Sequence, residues 1–136
     1  MSFEEVVQKA VYEKLIARAA LLGREINIYD DVPIFTDEKT IFPFIALGDD
    51  TLVNWDTDTE LGADVTLTLN VWSRYRGKKE IKDLQGFIYD TLHRADFSVV
   101  GYKIITCEFV QSQSFMDFDG LTRHGVQTFQ LLIEKL

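Results

Sequence analysis

The first candidates for a catalytic base or nucleophile in this 136-residue sequence are its two histidines and its one cysteine, His93, His124 and Cys107. An imidazole titrates near neutral pH, and a thiolate is a strong nucleophile. His93 lies three residues from Asp90 and from Asp96, but on a helix such carboxylates are ordinary surface neighbours. Neither histidine has a neighbour in the sequence that would pair with it as a catalytic nucleophile. We therefore predict structural roles for both, and no enzymatic activity.

Cys107 stands between Ile105 and Phe109 on the predicted apolar face of a strand. A cysteine nucleophile needs exposure and a basic partner, and this pattern offers neither. We predict a small buried hydrophobic residue. As the single cysteine of the chain it cannot form an internal disulfide, which is compatible with a reducing compartment.

Residues 48–62 form the most acidic segment, with five carboxylates at Asp49, Asp50, Asp56, Asp58 and Glu60. Carboxylate oxygens bind hard cations, but this spacing does not match a calcium loop, so we predict no metal and no other cofactor. We interpret the segment as a loop that is mobile in the free subunit. Ordering its backbone would cost about 1–2 kcal/mol per residue, and the loop has little apolar surface to offset that cost.

Three apolar residues, Leu52, Val53 and Trp55, interrupt the acidic segment. Apolar side chains in an exposed loop often belong to a partner surface. Packing of the loop on its own subunit and contact with a partner both remain open. The candidate interface residues of this segment are Leu52, Val53, Trp55, Asp56 and Asp58.

One basic cluster follows, around Tyr75, and consists of Arg74, Arg76, Lys78, Lys79 and Lys82. Basic residues at the start of a helix oppose its dipole, which suggests another reason for their presence. Phosphate binding and a plain solvated cluster are alternatives. We favour contact with an acidic partner surface, such as the acidic segment of an identical neighbour. The candidate interface residues are Arg74, Arg76, Lys78 and Lys79.

Composition limits the remaining classes. The net charge of −8 argues against sequence-independent attraction to nucleic acid or to an anionic membrane. The apolar content of 46% suits a globular core, and no apolar run approaches the roughly 20 residues of a membrane span. The first residues lack the pattern of a signal peptide. We expect a soluble, cytosolic protein with one domain, residues 1–136.

Hydrophobic periodicity places the elements. Apolar residues at three- and four-residue steps predict helices over 3–22 and 78–95. A continuous apolar run predicts a strand over 44–47 that ends at Gly48, and alternation predicts strands over 63–73, 102–114 and 124–134. Residues 26–43 are predicted to be irregular, and Asp119-Gly120 supplies a hairpin turn. Leu69 is assigned to the core. The polar face of the sheet carries Thr66, Thr68, Asn70, Glu108, Thr128 and Gln130. The fold class is α+β, an antiparallel-dominated sheet with two main helices packed on one face.

The order of short motifs along the chain resembles one family over nearly its whole length. These motifs are IYDDVP at 28–33, FPFIALG at 42–48, the acidic segment, LTLNVWS at 67–73, LH at 92–93 and FDGLTRHG at 118–125. Together they are similar to the small tail completion, or tail terminator, proteins of long-tailed bacteriophages and prophages.

The resemblance implies a structural virion protein with no catalytic residues. It implies a homo-oligomeric ring, generally a hexamer, on the head-proximal end of the tail tube, assembled in the bacterial cytoplasm. The ring would stop growth of the tube and dock the head completion or connector protein, and DNA would pass through it without specific binding. Two rivals remain: a head-side neck protein, and an unrelated ligand-binding or hydrolytic domain that would need a concave apolar pocket.

Overall fold

A computed structural model describes residues 1–31 and 42–136. Within these residues two helices pack on a five-stranded sheet, and neither helix is long and apolar enough to cross a membrane. The elements are α1 (Phe3–Leu21), β1 (Asn27–Tyr29), β2 (Phe44–Asn54), β3 (Leu61–Ser73), α2 (Lys79–Leu92), β4 (Tyr102–Met116) and β5 (Arg123–Lys135).

Helix α1 begins with a capping box. The Ser2 hydroxyl accepts a hydrogen bond from the backbone N–H of Glu5, and the Glu5 carboxylate accepts one from the Ser2 N–H. These two bonds satisfy N–H groups that the first helical turn leaves without partners. The buried face of the helix then presents Val7, Val11 and Leu15 to the sheet.

The strands lie in the order β1-β2-β3-β5-β4. Of the pairs formed by residues 1–31 and 42–136, only β1 and β2 are parallel, and the other neighbouring pairs are antiparallel. The register places Leu69 of β3 beside Leu47 of β2 and beside Gln127 of β5. The apolar rows of Val65 with Leu131 and of Leu67 with Phe129 lie on the same face of the sheet, under both helices. This arrangement confirms the predicted fold class.

In the described part of the chain, no helix packs on the opposite face of the sheet, and the central rows of that face are polar. One row joins Thr66, Gln130 and Glu108 across three strands, and the next joins Thr68 and Thr128. The predicted polar face is confirmed. One end of this helix-free face is aromatic instead, with a row made of Phe44, Trp72, His124 and Phe115.

The prediction that the strand ends at Gly48 is wrong, because β2 continues to Asn54. Gly48 and Asp49 oppose the single residue Thr68 in a β-bulge, and the ladder resumes at Asp50. Gly48 is suited to this bulge, since a Cβ there would overlap the side-chain amide of Asn70. Residues 48–54 are therefore part of the sheet and not part of a loop.

Two other differences come from the ends and edges of the elements. Helix α2 ends at Leu92 and not at residue 95, because Arg94 adopts a positive φ of 57° and turns the chain toward β4. The segment predicted to be irregular contains β1, although its residues 32–41 lie outside the described part of the chain. The predicted hairpin turn at Asp119-Gly120 is confirmed.

Ile105 was placed wrongly on the apolar face of β4. It is the extra residue of a bulge between Ile104 and Thr106, and a second bulge lies at Val110. Each bulge shifts the alternation by one residue, so that Ile104 packs against the core and Ile105 is exposed. Cys107 and Phe109 remain on the core side.

Candidate functional site

The structure separates the two predicted groups of interface residues. The acidic group lies at the hairpin between β2 and β3, and the basic group follows the other end of β3. A strand of the length of β3, Leu61–Ser73, spans about 40 Å. The two groups therefore cannot meet within one subunit, and they mark opposite ends of one sheet.

The acidic end is a hydrogen-bonded β-hairpin. Its ladder continues past β2 through a bond from the Trp55 N–H to the Gly62 carbonyl (3.1 Å) and another from the Thr57 N–H to the Glu60 carbonyl (2.9 Å). The Asp56 carboxylate accepts from the Gly62 N–H at 2.9 Å. The prediction that residues 48–62 form a mobile loop is wrong. Backbone hydrogen bonds across the hairpin offset the entropic cost of ordering these residues, so apolar contacts are not required to offset it.

Trp55 is half-buried at this hairpin. Its ring covers the backbone of Gly62, where a Cβ atom would come within 3.2 Å of the indole and 2.7 Å of the Trp55 carbonyl. A glycine is needed for that close approach. Part of the indole is therefore packed on its own subunit, and part of it stays accessible.

Leu52 and Val53 lie on the same protruding strand with side chains on opposite faces of the sheet. Leu52 registers with Val65 on the helix-bearing side, and Val53 registers with Asp64 on the helix-free side. Their side chains are 38% and 61% exposed. The carboxylate of Asp58 is also exposed, so this end of the subunit combines negative charge with accessible apolar surface.

At the basic end, Arg74 differs from the other residues of the basic cluster because its side chain makes contacts within its own subunit. Its guanidinium lies 4.4 Å from the Phe42 ring centroid, donates to the Thr122 hydroxyl at 3.1 Å and approaches the Asp119 carboxylate at 3.9 Å. Arg74 thus ties the end of β3 to the turn between β4 and β5. Arg76, Lys78, Lys79 and Lys82 are exposed.

The turn between β4 and β5 adds apolar surface that the sequence analysis did not include. Phe118 is fully exposed at its tip, and Leu121 is more than half exposed. The signal was present, because large apolar residues flank the turn pair Asp119-Gly120. The basic end therefore also carries accessible apolar side chains.

Asp119 holds this turn together. Its carboxylate accepts from the Thr122 hydroxyl (2.7 Å), the Thr122 N–H (2.8 Å) and the Leu121 N–H (2.9 Å). These hydrogen bonds, led by that of the Thr122 hydroxyl and assisted by the charge of Arg74, lower the pKa of Asp119 to about 2.

We expect Asp119→Asn to lower the melting temperature at pH 7, since the amide keeps an acceptor oxygen but loses the charge. Because the folded pKa is below the unfolded one, the carboxylate stabilises the fold above about pH 4, and this contribution is lost as the pH falls toward 2. Thermal unfolding of both proteins from pH 7 to pH 2 checks this. A difference in melting temperature that persists unchanged at pH 2 would contradict it.

Both histidines have structural contacts. His93 Nδ1 accepts from the Phe109 N–H at 3.1 Å, and its ring stacks on Tyr89. His124 stacks on Trp72 at 4.4 Å between ring centroids and contacts the Asn70 amide oxygen at 2.9 Å. Burial lowers the pKa of His124, an effect that Asp117 partly opposes. The predicted structural roles agree with these contacts.

Cys107 is buried, as predicted, and burial raises the pKa of its thiol to about 12, with a smaller contribution from Glu108. We expect the thiol to resist alkylation at pH 7–8 in the native protein and to react readily in denaturant, because the thiolate is the reactive form. Mass spectrometry after iodoacetamide treatment measures this. Rapid labelling of the native chain would contradict the buried placement.

Within residues 1–31 and 42–136, no three His, Cys, Asp or Glu side chains lie close enough together to hold a metal ion. The carboxylates at the acidic end thus form a charged surface and not a cation cage.

Comparison with known proteins identifies the family. A family model described as "Tail completion protein gp17" matches residues 9–134. The chain belongs to this family. It is also 24% identical over 120 residues to the tail completion protein gp17 of Bacillus phage SPP1, covering 88% of this chain and 86% of that protein. The resemblance noted in the sequence is therefore confirmed, and the chain is a structural tail protein of a phage virion.

Solved structures share the fold. A chain from the virion of a native gene transfer agent particle superposes with a TM-score of 0.83 at 22% identity, covering 98% of this chain and 99% of that one. The SPP1 gp17 structure superposes with a TM-score of 0.61 at 22% identity, covering 93% and 88%. The α+β arrangement described above is thus common to these proteins.

Proposed function

We propose that this chain forms a homo-oligomeric ring, a hexamer, at the head-proximal end of a phage tail tube. The ring ends growth of the tube and joins the tail to the head connector after assembly in the host cytoplasm. The observation that carries the proposal is membership of the tail completion family over residues 9–134. The family is a structural one, and His93, His124 and Cys107 have structural environments.

The two ends of the sheet support a junction between unlike partners. The acidic end offers Trp55, Asp56 and Asp58, and the basic end offers Arg76 and Lys79 beside the apolar tip of the β4–β5 turn. Surfaces of opposite charge select different partners. In this proposal one end meets the tail tube protein and the other meets the head completion or connector protein. The contact predicted from the sequence, between the basic cluster of one copy and the acidic segment of a neighbouring copy, would require opposite ends of two subunits to meet.

Charge also suits passage of DNA. A hexamer would carry six times −8, or −48, formal charges, which opposes binding to phosphates. The central rows of the helix-free face contain no lysine or arginine among the described residues; they comprise Thr66, Thr68, Asn70, Glu108, Gln111, Gln113, Val126, Thr128 and Gln130. Such a surface offers no cationic clamp that would hold the DNA in the channel.

The test is complementation of a phage that lacks its copy of this gene. We expect tails longer than normal, without heads, in its absence, and normal joined tails when the chain is supplied. Light scattering over a range of protein concentrations measures the ring in solution. Tails of normal length beside unjoined heads would overturn tube termination and favour the head-side neck role.

A further inference from the structure

Among residues 1–31 and 42–136, both edges of the sheet are only half covered. At one edge, β1 pairs with Phe44, Ile45 and Ala46 at the start of β2 and extends no further along that strand. The rest of β2 protrudes, and residues 51–54 are exposed. An uncovered edge strand presents backbone N–H and C=O groups that can pair with another chain.

The other edge, β4, is covered in its first half instead. The Arg94 N–H donates to the Cys107 carbonyl at 2.7 Å, and His93 Nδ1 accepts from the Phe109 N–H at 3.1 Å. Beyond Phe109, residues 110–116 are all exposed. Of their backbone groups, the Gln113 carbonyl accepts a hydrogen bond from the Gln85 side-chain amide at 3.0 Å. Their sequence, VQSQSFM, has no charge and no proline, the devices that usually protect an edge strand.

We propose that β2 of one copy pairs with β4 of the next, through residues 49–54 and 110–116, so that the sheet continues around the ring. This inference rests on the proposed ring and names the contact that builds it. β2 and β4 of one subunit run antiparallel, because three antiparallel steps separate them. Copies related by rotation about the ring axis preserve that direction, so the new contact is antiparallel like its neighbours.

The positions of the covered halves of β2 and β4 determine how far each copy is shifted along the strands relative to the next. Thr51, in the middle of the open part of β2, shares a row with Gln130 of β5, whereas Gln113, in the middle of the open part of β4, shares a row with Val126. These rows differ by four residues along β5. Pairing the open stretches therefore shifts each copy by four residues relative to the next.

A shift of this size is what closure of a sheet requires. Four residues correspond to about 13 Å along the strands, and four strand spacings to about 19 Å across them, which tilts the strands by roughly 35°. Strands in closed barrels typically tilt by about 35–45°. The ratio is independent of the number of copies. Both helices would lie outside such a closed sheet, and the helix-free face would line the channel.

Engineered disulfides test the pairing. Pairing of residues 49–54 of one copy with residues 110–116 of the next places Thr51 beside Gln113. Both side chains lie on the helix-free face. Thr51→Cys/Gln113→Cys should therefore link copies into a ladder of multimers on mild oxidation. The matched control is Thr51→Cys/Glu108→Cys, since Glu108 shares the Thr51 row and would oppose it only without an offset. We expect about tenfold more linked copies than in the control, because disulfides form only between closely placed Cβ atoms.

The oxidation is carried out on purified protein and on assembled particles, with non-reducing electrophoresis as the readout. Rings that form normally while the Thr51/Gln113 pair links no better than the control would overturn the pairing and leave the ring intact. Equal linking by Thr51→Cys alone would also overturn it, because that result indicates a two-fold contact. Absence of rings in solution and in particles would refute the proposed function itself.

Discussion

Leu69→Ala is expected to lower the free energy of unfolding by about 2–5 kcal/mol, the cost of emptying a core site. Leu69 is 0% exposed. It lies on the central strand β3, between Leu47 and Gln127 and under the helices. Hydrogen-bonded neighbours on both sides hold the backbone in place, so the cavity cannot close by collapse. Denaturant unfolding followed by circular dichroism measures the change.

Leu61→Ala is the matched control, because it makes the same truncation on the same strand. Leu61 is 56% exposed at the first position of β3. We expect a loss below about 0.5 kcal/mol for the isolated subunit. Equal losses for the two variants would contradict the placement of the core.

Trp55→Ala is expected to abolish capping of the tail tube while leaving the subunit folded. The indole packs against Gly62 of its own hairpin, so a modest loss of stability is expected. Aromatic anchors of interfaces contribute about 2 kcal/mol or more, which corresponds to roughly a 30-fold loss in affinity for each copy. In the complementation assay, Trp55→Ala should lower the number of infectious particles by roughly 30-fold or more. Electron micrographs should show overlong tails.

Trp55→Phe is the conservative comparison and should retain part of the activity. Fluorescence supplies an independent measurement once Trp72 is replaced by Phe. We expect the emission of Trp55 to shift further to the blue when the subunit assembles, because the exposed part of the ring leaves water. Emission that is unchanged by assembly, together with normal capping by Trp55→Ala, would show that the residue serves only its own hairpin.

Elements with uninterrupted periodicity were predictable from the sequence. The alternation of Val65, Leu67 and Leu69 fixed the face of β3, and the Ser2/Glu5 pair marked the start of α1. These features depend on residues adjacent in the sequence. The fold class followed from them, because a sheet that is apolar on one face must be covered there.

Features that depend on distant partners were not predictable. Gly48 reads as a strand end, and only Thr68 and Asn70 on the neighbouring strand show that it forms a bulge. The exposed position of Ile105 likewise depends on how β5 pairs with β4. Short β1 has three residues and no periodicity to detect.

The candidate surfaces were predicted in part. The acidic and basic residues form two groups already in the sequence, but their separation along β3 and the engagement of Arg74 by Thr122 required the tertiary structure. The half-covered edges could not be seen at all, because His93 and Arg94 reach β4 only through the turn that ends α2. Backbone hydrogen bonds of this kind leave no mark in composition.

The separation of charge along β3 makes each subunit an electric dipole. Its negative pole lies at Asp56, Asp58 and Glu60, and its positive pole at Arg76 and Lys79. In a ring with cyclic symmetry the dipole components perpendicular to the axis cancel, whereas the axial components add. Such a ring would be drawn to a charged tube end by one face and turned away by the other, so that it is oriented before contact. The electrostatic steering acts over about a Debye length, roughly 10 Å at 0.1 M salt. High ionic strength would therefore slow docking of the ring without weakening the contact that is finally formed.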